Sequence, residues 1–494
     1  MRLSPANLLG GSYADESLPW SAQDTVNWIP EVAQAPGTRT PAKLRSAPGL
    51  KPFVNIGDGV IRGLHNVEGQ LFVVSGNQLY RISNTGVAIP IGAIPGVGRV
   101  SMAHNQRSGG NELIVVNGSA GYVYNTVTTI FQRITDPGYP GAVVADYVDS
   151  YLVQVEPQGR YWFHSNLADA LDYNTLDRYE SEGSPDRIVT LAVNQLEVVV
   201  FNETTTEFFS NVGAAQGTFQ SKRIVIDYGC AGRDTVAKLD NSLFWLDNTG
   251  RICRLNGYQA LPISTVPIEQ AIAGKNWSGA FASVYESQGH KVYYITFPDG
   301  QTFGYDVVTQ LWHRRESFEL NRWRVNALEY WNRKWVAGDF QGGKLYEVDW
   351  DYMLEADQPI VAQRVSPVTH ANQNEVVIPY AELIFDTGQP ETIPTTFPGQ
   401  PTAPTITGAA PDGVAGTVYD GYSYAASGGT GTLTVTLRSG MLPPGLTLST
   451  AGALSSTTIT APGTFEFVLR VTDTNGLWDE LNDTILVTEI PAEP

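Results

Sequence analysis

The chain has 494 residues, enough for roughly two to four domains and a large core, and 49 glycines, 30 prolines and few long helical patterns point to an all-β protein rich in turns. Fifty acidic against 31 basic side chains give a formal charge of −19, which argues against a protein that wraps a nucleic acid, because gripping phosphate needs clustered Lys and Arg. No apolar run approaches the roughly 18 residues needed to span a bilayer, and the start MRLSPANLLGGS lacks the charged and apolar regions of a secretory signal; the expectation is a soluble protein made in a cytoplasm.

Residues 1–59 do not look like the repeating unit that follows them. Pro30, Pro36, Pro41 and Pro48 interrupt two short apolar pieces, the pattern of an extended arm lying across another surface. Such an arm could add a strand to the end of a repeat array, or reach into a neighbouring subunit.

Residues 60–82, VIRGLHNVEGQLFVVSGNQLYRI, form the unit from which most of the chain is built. Leu71, Phe72, Val73 and Val74 form a run buried on both faces, bounded by a turn at Glu68-Gly69 and a tight hairpin at Gly76-Asn77. The same order of apolar start, turn, strand, turn and aromatic strand recurs from Arg99, Val143, Arg187, Thr235, Phe281 and Val325. The spacing of roughly 40 to 48 residues is that of four-stranded propeller blades. Seven blades over residues 60–358 would bury each sheet against its neighbours. Unrelated hairpins in sandwiches would also alternate strands with turns, but seven even copies are hard to obtain from sandwich domains of about 100 residues.

Within these blades Trp162, Phe163, Trp245, Tyr293, Tyr294, Trp331 and Trp335 are expected to fill the wedges between sheets, with a ligand-binding aromatic cluster as the alternative. The loops at residues 247–251, 297–301 and 339–344 read as hairpin tips in which Asp, Asn and Gly supply the turn geometry. Their carboxylates could also hold calcium, although EF-hand spacing is lacking. Cys230 and Cys253 are too few for a disulfide framework and read as buried thiols.

Residues 359–388 look strand-like but fall out of step with the blades, as a partial C-terminal platform would. Residues 389–401 are a proline-rich, semi-rigid linker. Residues 402–490 then lose charge, gain Thr, Ser and Gly, and alternate in TLTVTLRS, GTFEFVLRVTD and DTILVTE, a separate β-sandwich.

Several strings carry a family resemblance. VNWIPE followed by SAPGL, VIRGL, GVGRVSMAHN, the run at residues 179–214, LWHRRESF and VAGDFQGGKLYEVD resemble the packaged-DNA-stabilisation proteins of short-tailed bacteriophages, over roughly residues 20–388. The resemblance implies a tail hub or nozzle: a virion tail protein, assembled in the cytoplasm of the host bacterium, that forms a ring of usually six copies beneath the portal and its adaptor. In that place it would retain packaged DNA, let double-stranded DNA pass without sequence-specific binding, and anchor a needle, fibre or tailspike. LPPGLTLSTAGALSS followed by GTFEFVLRVTDTNG is similar to the immunoglobulin-like domains of bacterial and phage surface proteins, which implies host-surface glycans as a further partner, with a passive spacer as the other reading.

No catalytic set emerges. His65, His104, His164, His290, His313 and His370 are scattered, and HExxH, paired zinc-spaced cysteines, a GK[ST] phosphate loop and GxSxG are all missing. No catalytic, cofactor-binding or metal-binding residue is assigned, no cofactor is expected, and the reading is a structural protein rather than an enzyme. Because propellers can be glycosidases and some acidic pair falls at catalytic distance by chance, a glycan-cleaving or glycan-binding tail protein is the rival. The expected fold is all-β: a propeller of about seven blades with an N-terminal arm, a partial platform and an Ig-like sandwich.

Overall fold

A strand with apolar side chains on both faces is stable only when covered on both sides. In the computed structural model, which describes residues 8–38, 40–57, 59–367, 404–474 and 477–489, Leu71, Phe72, Val73 and Val74 meet that need completely and are inaccessible to water. They belong to the second strand of an antiparallel sheet ordered Ile61–Val67, Gln70–Ser75, Gln78–Ile82 and Ala88–Ala93. Six further sheets begin with Ser101–His104, Val144–Val148, Ile188–Asn194, Ala237–Leu239, Phe281–Ser287 and Val325–Trp331, each within two residues of its expected start. These first strands follow one another in sequence order, the fourth blade's lying against the second strand of the fifth, Ser242–Leu246, and the seventh meets the first.

The sheets are therefore the seven blades of a propeller around one axis. A separate apolar cluster fills each gap between neighbouring blades; between the third and fourth it joins Val153 and Trp162 to Val198 and Phe209. Burying one such side chain contributes about 1.5–3 kcal/mol, so a blade without neighbours would lose the main source of its stability. Trp162, Trp245, Trp331, Phe163, Tyr293 and Tyr294 all lie in these wedges. Trp335 packs at the edge of one and donates its indole N–H to the Glu286 carbonyl at 2.7 Å. Cys230 and Cys253 are free and buried together between the fourth and fifth blades, where burial pushes the Cys230 thiol up to about 12.

Six of the blades link their first two strands by a two-residue turn with both residues at positive φ: Glu68-Gly69, Asp149-Ser150, Gln195-Leu196, Asp240-Asn241, Gln288-Gly289 and Asn332-Arg333. This is the twist that suits antiparallel neighbours. Leu196 accepts it at φ 66° despite its Cβ, a strained choice for an apolar side chain.

The seventh blade takes only three strands from its own repeat. Its fourth is Gly49–Asn55, paired antiparallel with Lys344–Asp349, so the ring is closed by chain from the other end of the sequence. The approach is so close that a Cβ on Gly49 would stand 2.0 Å from the Tyr352 carbonyl oxygen. Of the two fates open to residues 1–59, strand addition within the same chain is the one seen. Ala22–Val26 runs beside the outer strand of the sixth blade, Leu311–Arg315, and pairs with Gln363–Val365. Arg364 ties the two ends together, donating to the Leu8 and Gly11 carbonyls at 3.0 and 2.9 Å and to Thr25 Oγ1 at 2.7 Å. Residues 368–388 of the expected platform and the whole expected linker, 389–401, lie outside the described residues.

The chain divides into two compact units, residues 1–398 and 399–494. In the second, Thr434–Gly440, Gly463–Thr472 and Trp478–Thr488 form an antiparallel sheet with Gly413–Val414 added in parallel. Alternate residues Phe467, Leu469 and Val471 face a core shared with Ile406, Tyr424, Val435 and Ile485, the layout of an Ig-like sandwich. Among the described residues no helix is long and apolar enough to cross a membrane.

Candidate functional site

The seven first strands face one another across the axis, so the side chains they carry decide what the axis can hold. Three residues before the tight turn stand Glu329 in the seventh blade, His65 in the first and Asp146 in the third, and His104 of the second blade joins them through a 2.9 Å contact between His65 Nε2 and His104 Nδ1. Four consecutive blades thus place an ionisable group on one arc. The flanking acids use the same device: Glu329 accepts the backbone N–H of Asn66 in the next blade, and Asp146 accepts that of Val193 at 2.7 Å. Asp146 also pairs with Lys238 of the fifth blade at 2.6 Å, a bridge that spans the fourth.

Burial sets the charge of this arc, because an ion loses more solvation than a neutral group when water is removed. It raises Glu329 to about 7, and it lowers His65 to about 4, with repulsion from His104 adding to the effect. Burial likewise lowers His104. Near neutral pH the two imidazoles are uncharged and share one hydrogen bond.

At the end of the axis where the first strands begin, the charge reverses. Arg62 is fully engaged by the Gly98, Gly76 and Ile94 carbonyls at 2.6, 2.8 and 2.8 Å. Arg99 of the second blade reaches across to the Asn326 carbonyl of the seventh, with its guanidinium 4.2 Å from the centre of the Phe281 ring of the sixth. Arg322 lies over the same ring at 5.2 Å and over Phe340 at 4.3 Å. Arg233 is paired with Asp234 at 3.2 Å. Arg99 thus spans the axis from the second blade to the sixth and seventh.

The carboxylates of the acidic hairpin tips are engaged within the protein, Asp299 accepting the backbone N–H of Asn276 at 3.2 Å. Asp247 accepts the backbone N–H groups of Thr249 and Arg251 at 2.8 and 2.9 Å and pairs with Arg251 at 2.9 Å, and Asp339 binds Arg324 at 3.0 Å and the Tyr346 hydroxyl at 2.9 Å. Among the described residues no three His, Cys, Asp or Glu side chains are grouped to hold a metal ion. The other histidines are structural: His164 bonds the Ser165 carbonyl, His313 the Tyr294 hydroxyl, and His290 links Asp306 at 2.8 Å to Glu31 of the arm at 3.5 Å. His370 lies outside the described residues. Reading the histidines as scattered missed the His65–His104 pair. The signal was present in GLHN and MAHN, which carry His-Asn at the same repeat position.

The family model described as Bacteriophage P22 Gp10, beta-propeller, matches residues 6–353. The chain belongs to this family. Its match runs from the arm to the end of the seventh blade, the same span that the closing strand ties into one ring. A second model, an Ig domain family, matches residues 392–488. A curated relative is the tail hub protein gp10 of Salmonella phage P22, 27% identical over 251 residues, which are 46% of this chain and 50% of the relative. The chain therefore spans about half the length of the curated relative it matches. Among solved structures, virginiamycin B lyase from Staphylococcus aureus is 10% identical with a TM-score of 0.42, covering 59% of this chain and 95% of that one. The computationally designed Ika8 protein is 12% identical with a TM-score of 0.38, covering 60% and 99%.

Proposed function

We propose that this member of the P22 Gp10 propeller family is a structural tail hub of a short-tailed phage. It forms a ring in the virion tail beneath the portal adaptor, retains packaged DNA, lets it leave at ejection and anchors a needle, fibre or tailspike. The observation that carries the reading is the family match across the arm and all seven blades. The closed axis supports one detail: with Arg99 and the Lys238–Asp146 bridge across it, any bore for DNA lies between copies. Residues 359–388 extend the propeller as a platform toward those copies, and residues 402–490, beyond the linker at 389–401, decorate the tail or touch host glycans. Resisting the pressure of packaged DNA calls for interfaces in the obligate class, above about 2,000 Å².

Electron microscopy of isolated tails tests this. A ring of propellers around a central bore, directly below the portal adaptor, is expected; single propellers placed only at fibre tips would contradict it.

A further inference from the structure

Several arginines of the propeller stand beside a carboxylate: Arg254 has Asp240 at 2.8 Å, Arg251 has Asp247 at 2.9 Å, Arg314 has Asp24 at 2.8 Å and Arg315 has Glu355 at 3.0 Å. Arg99 and Arg322 differ. Among the described residues neither has an ion-pair partner, and their hydrogen bonds go only to neutral carbonyls, of Asn326 for Arg99 and of Trp323 and Val325 for Arg322. Yet both guanidinium carbons lie within 5.2 Å of the centre of one ring, that of Phe281. The acids close by are already taken. Asp234 is held by Arg233, and Asp339 by Arg324 and Tyr346.

Two cations over one aromatic ring repel each other, and the ring's quadrupole returns only about 0.5–2 kcal/mol for each. Arg322 is 7% exposed, and its burial together with the charge of Arg99 lowers it to about 10. Five N–H donors per guanidinium, in a rigid planar fork, are built to meet oxygens in pairs. Arg99 uses one nitrogen and Arg322 two, which leaves directed donors free at a partly open mouth. Arg233 is close enough for its charge to act on Arg99 as well. A single tetrahedral oxyanion would offset the repulsion and fill the unused donors.

We infer that the mouth of the propeller axis, formed by Arg99 and Arg322 around Phe281 with Arg233 at its side, is a binding site for one phosphate group. This goes beyond the hub role, which needs no ligand inside a single propeller. The group could be free phosphate or a phosphate of a nucleic-acid end.

The test uses the full chain and inorganic phosphate. Phosphate should raise the melting temperature of the propeller more than chloride at matched ionic strength, and Arg99→Gln should lower the apparent phosphate affinity about tenfold or more, the scale of one charge-assisted hydrogen bond. Arg45→Gln, a change at an arginine stacked on Trp350 away from the axis, should leave the phosphate response intact. If Arg99→Gln does not fold, the native chain still decides: phosphate should protect Arg99 and Arg322 from an arginine-selective dicarbonyl reagent, read by peptide mass spectrometry. A short single-stranded oligonucleotide with a 5′ phosphate, compared with inorganic phosphate, separates the two sources by which binds more tightly. No preference for phosphate over chloride, or equal modification of the two arginines with and without phosphate, would overturn the site.

Discussion

The seam that closes the propeller and the C-terminal unit solve the same problem, covering exposed strands, in opposite ways. At the seam, Gly49–Asn55 completes a blade begun nearly three hundred residues later, and one cluster gathers Ile29 and Leu50 from the arm with Tyr285, Trp323 and Val348 from the last two blades. The C-terminal unit draws its whole core from residues 406–487. Contacts between distant segments are slow to form but make the ring all-or-none, whereas a contiguous module can be added or removed without disturbing its host.

The largest expected effect follows from that contrast. Deleting residues 1–57 should leave the seventh blade open and abolish a cooperative melt, while deleting residues 399–494 should leave the propeller's melting temperature unchanged; circular dichroism of both truncations checks this. A shared loss in both would erase the distinction between the units.

Next comes the buried ion pair at the seam. Glu355 accepts from Arg315 at 3.0 Å and from the Trp323 indole at 2.7 Å, with both charged groups nearly inaccessible to water. Removing one partner strands the other charge, so Glu355→Ala should cost about 3–5 kcal/mol of propeller stability by calorimetry and leave the transition of the C-terminal unit in place. The reciprocal change is smaller. Tyr424 donates to Asp483 at 2.6 Å inside the second unit, and Tyr424→Phe should lower only that unit's transition, by about 1 kcal/mol.

A pH effect sharpens the comparison further. Burial opposes charge on His290, but its hydrogen bonds to Asp306 and to Glu31 of the arm prevail and hold its pKa above the ordinary 6.5. Burial opposes charge on the two acids as well, and it is outweighed by Lys43 and His290 at Glu31 and by His290 and backbone N–H groups at Asp306, so both sit below their ordinary 4.5 and 3.8. A raised histidine stabilises fully below its unfolded value and loses this as pH rises through the folded one; lowered acids stabilise above their unfolded values. The contribution of the cluster to docking the arm is therefore complete between about pH 4.5 and 6.5 and fades above, which a series of melts on the native chain and on His290→Gln would resolve. The two proteins should differ most at pH 6 and converge by pH 9.

Much of this architecture was legible from residues. A strand buried on both faces announces itself as an unbroken apolar run, and the Glu68-Gly69 turn marks the blade period. The turn at Gln195-Leu196 was not legible, because an apolar residue such as Leu196, here at φ 66°, is not one that signals a positive-φ turn. The arm was expected as a possible added strand, but which segment would serve, Gly49–Asn55, was not legible, since an edge partner is chosen by tertiary geometry and leaves no local pattern. The axis was hidden for a similar reason: His65, His104, Asp146 and Glu329 are far apart in the chain and meet only once the ring closes.

The hub role is tested most directly by the DNA content of particles assembled without this protein. Heads that package a full genome and then lose it before infection are the expected result. Particles that keep their DNA and remain infectious would contradict it.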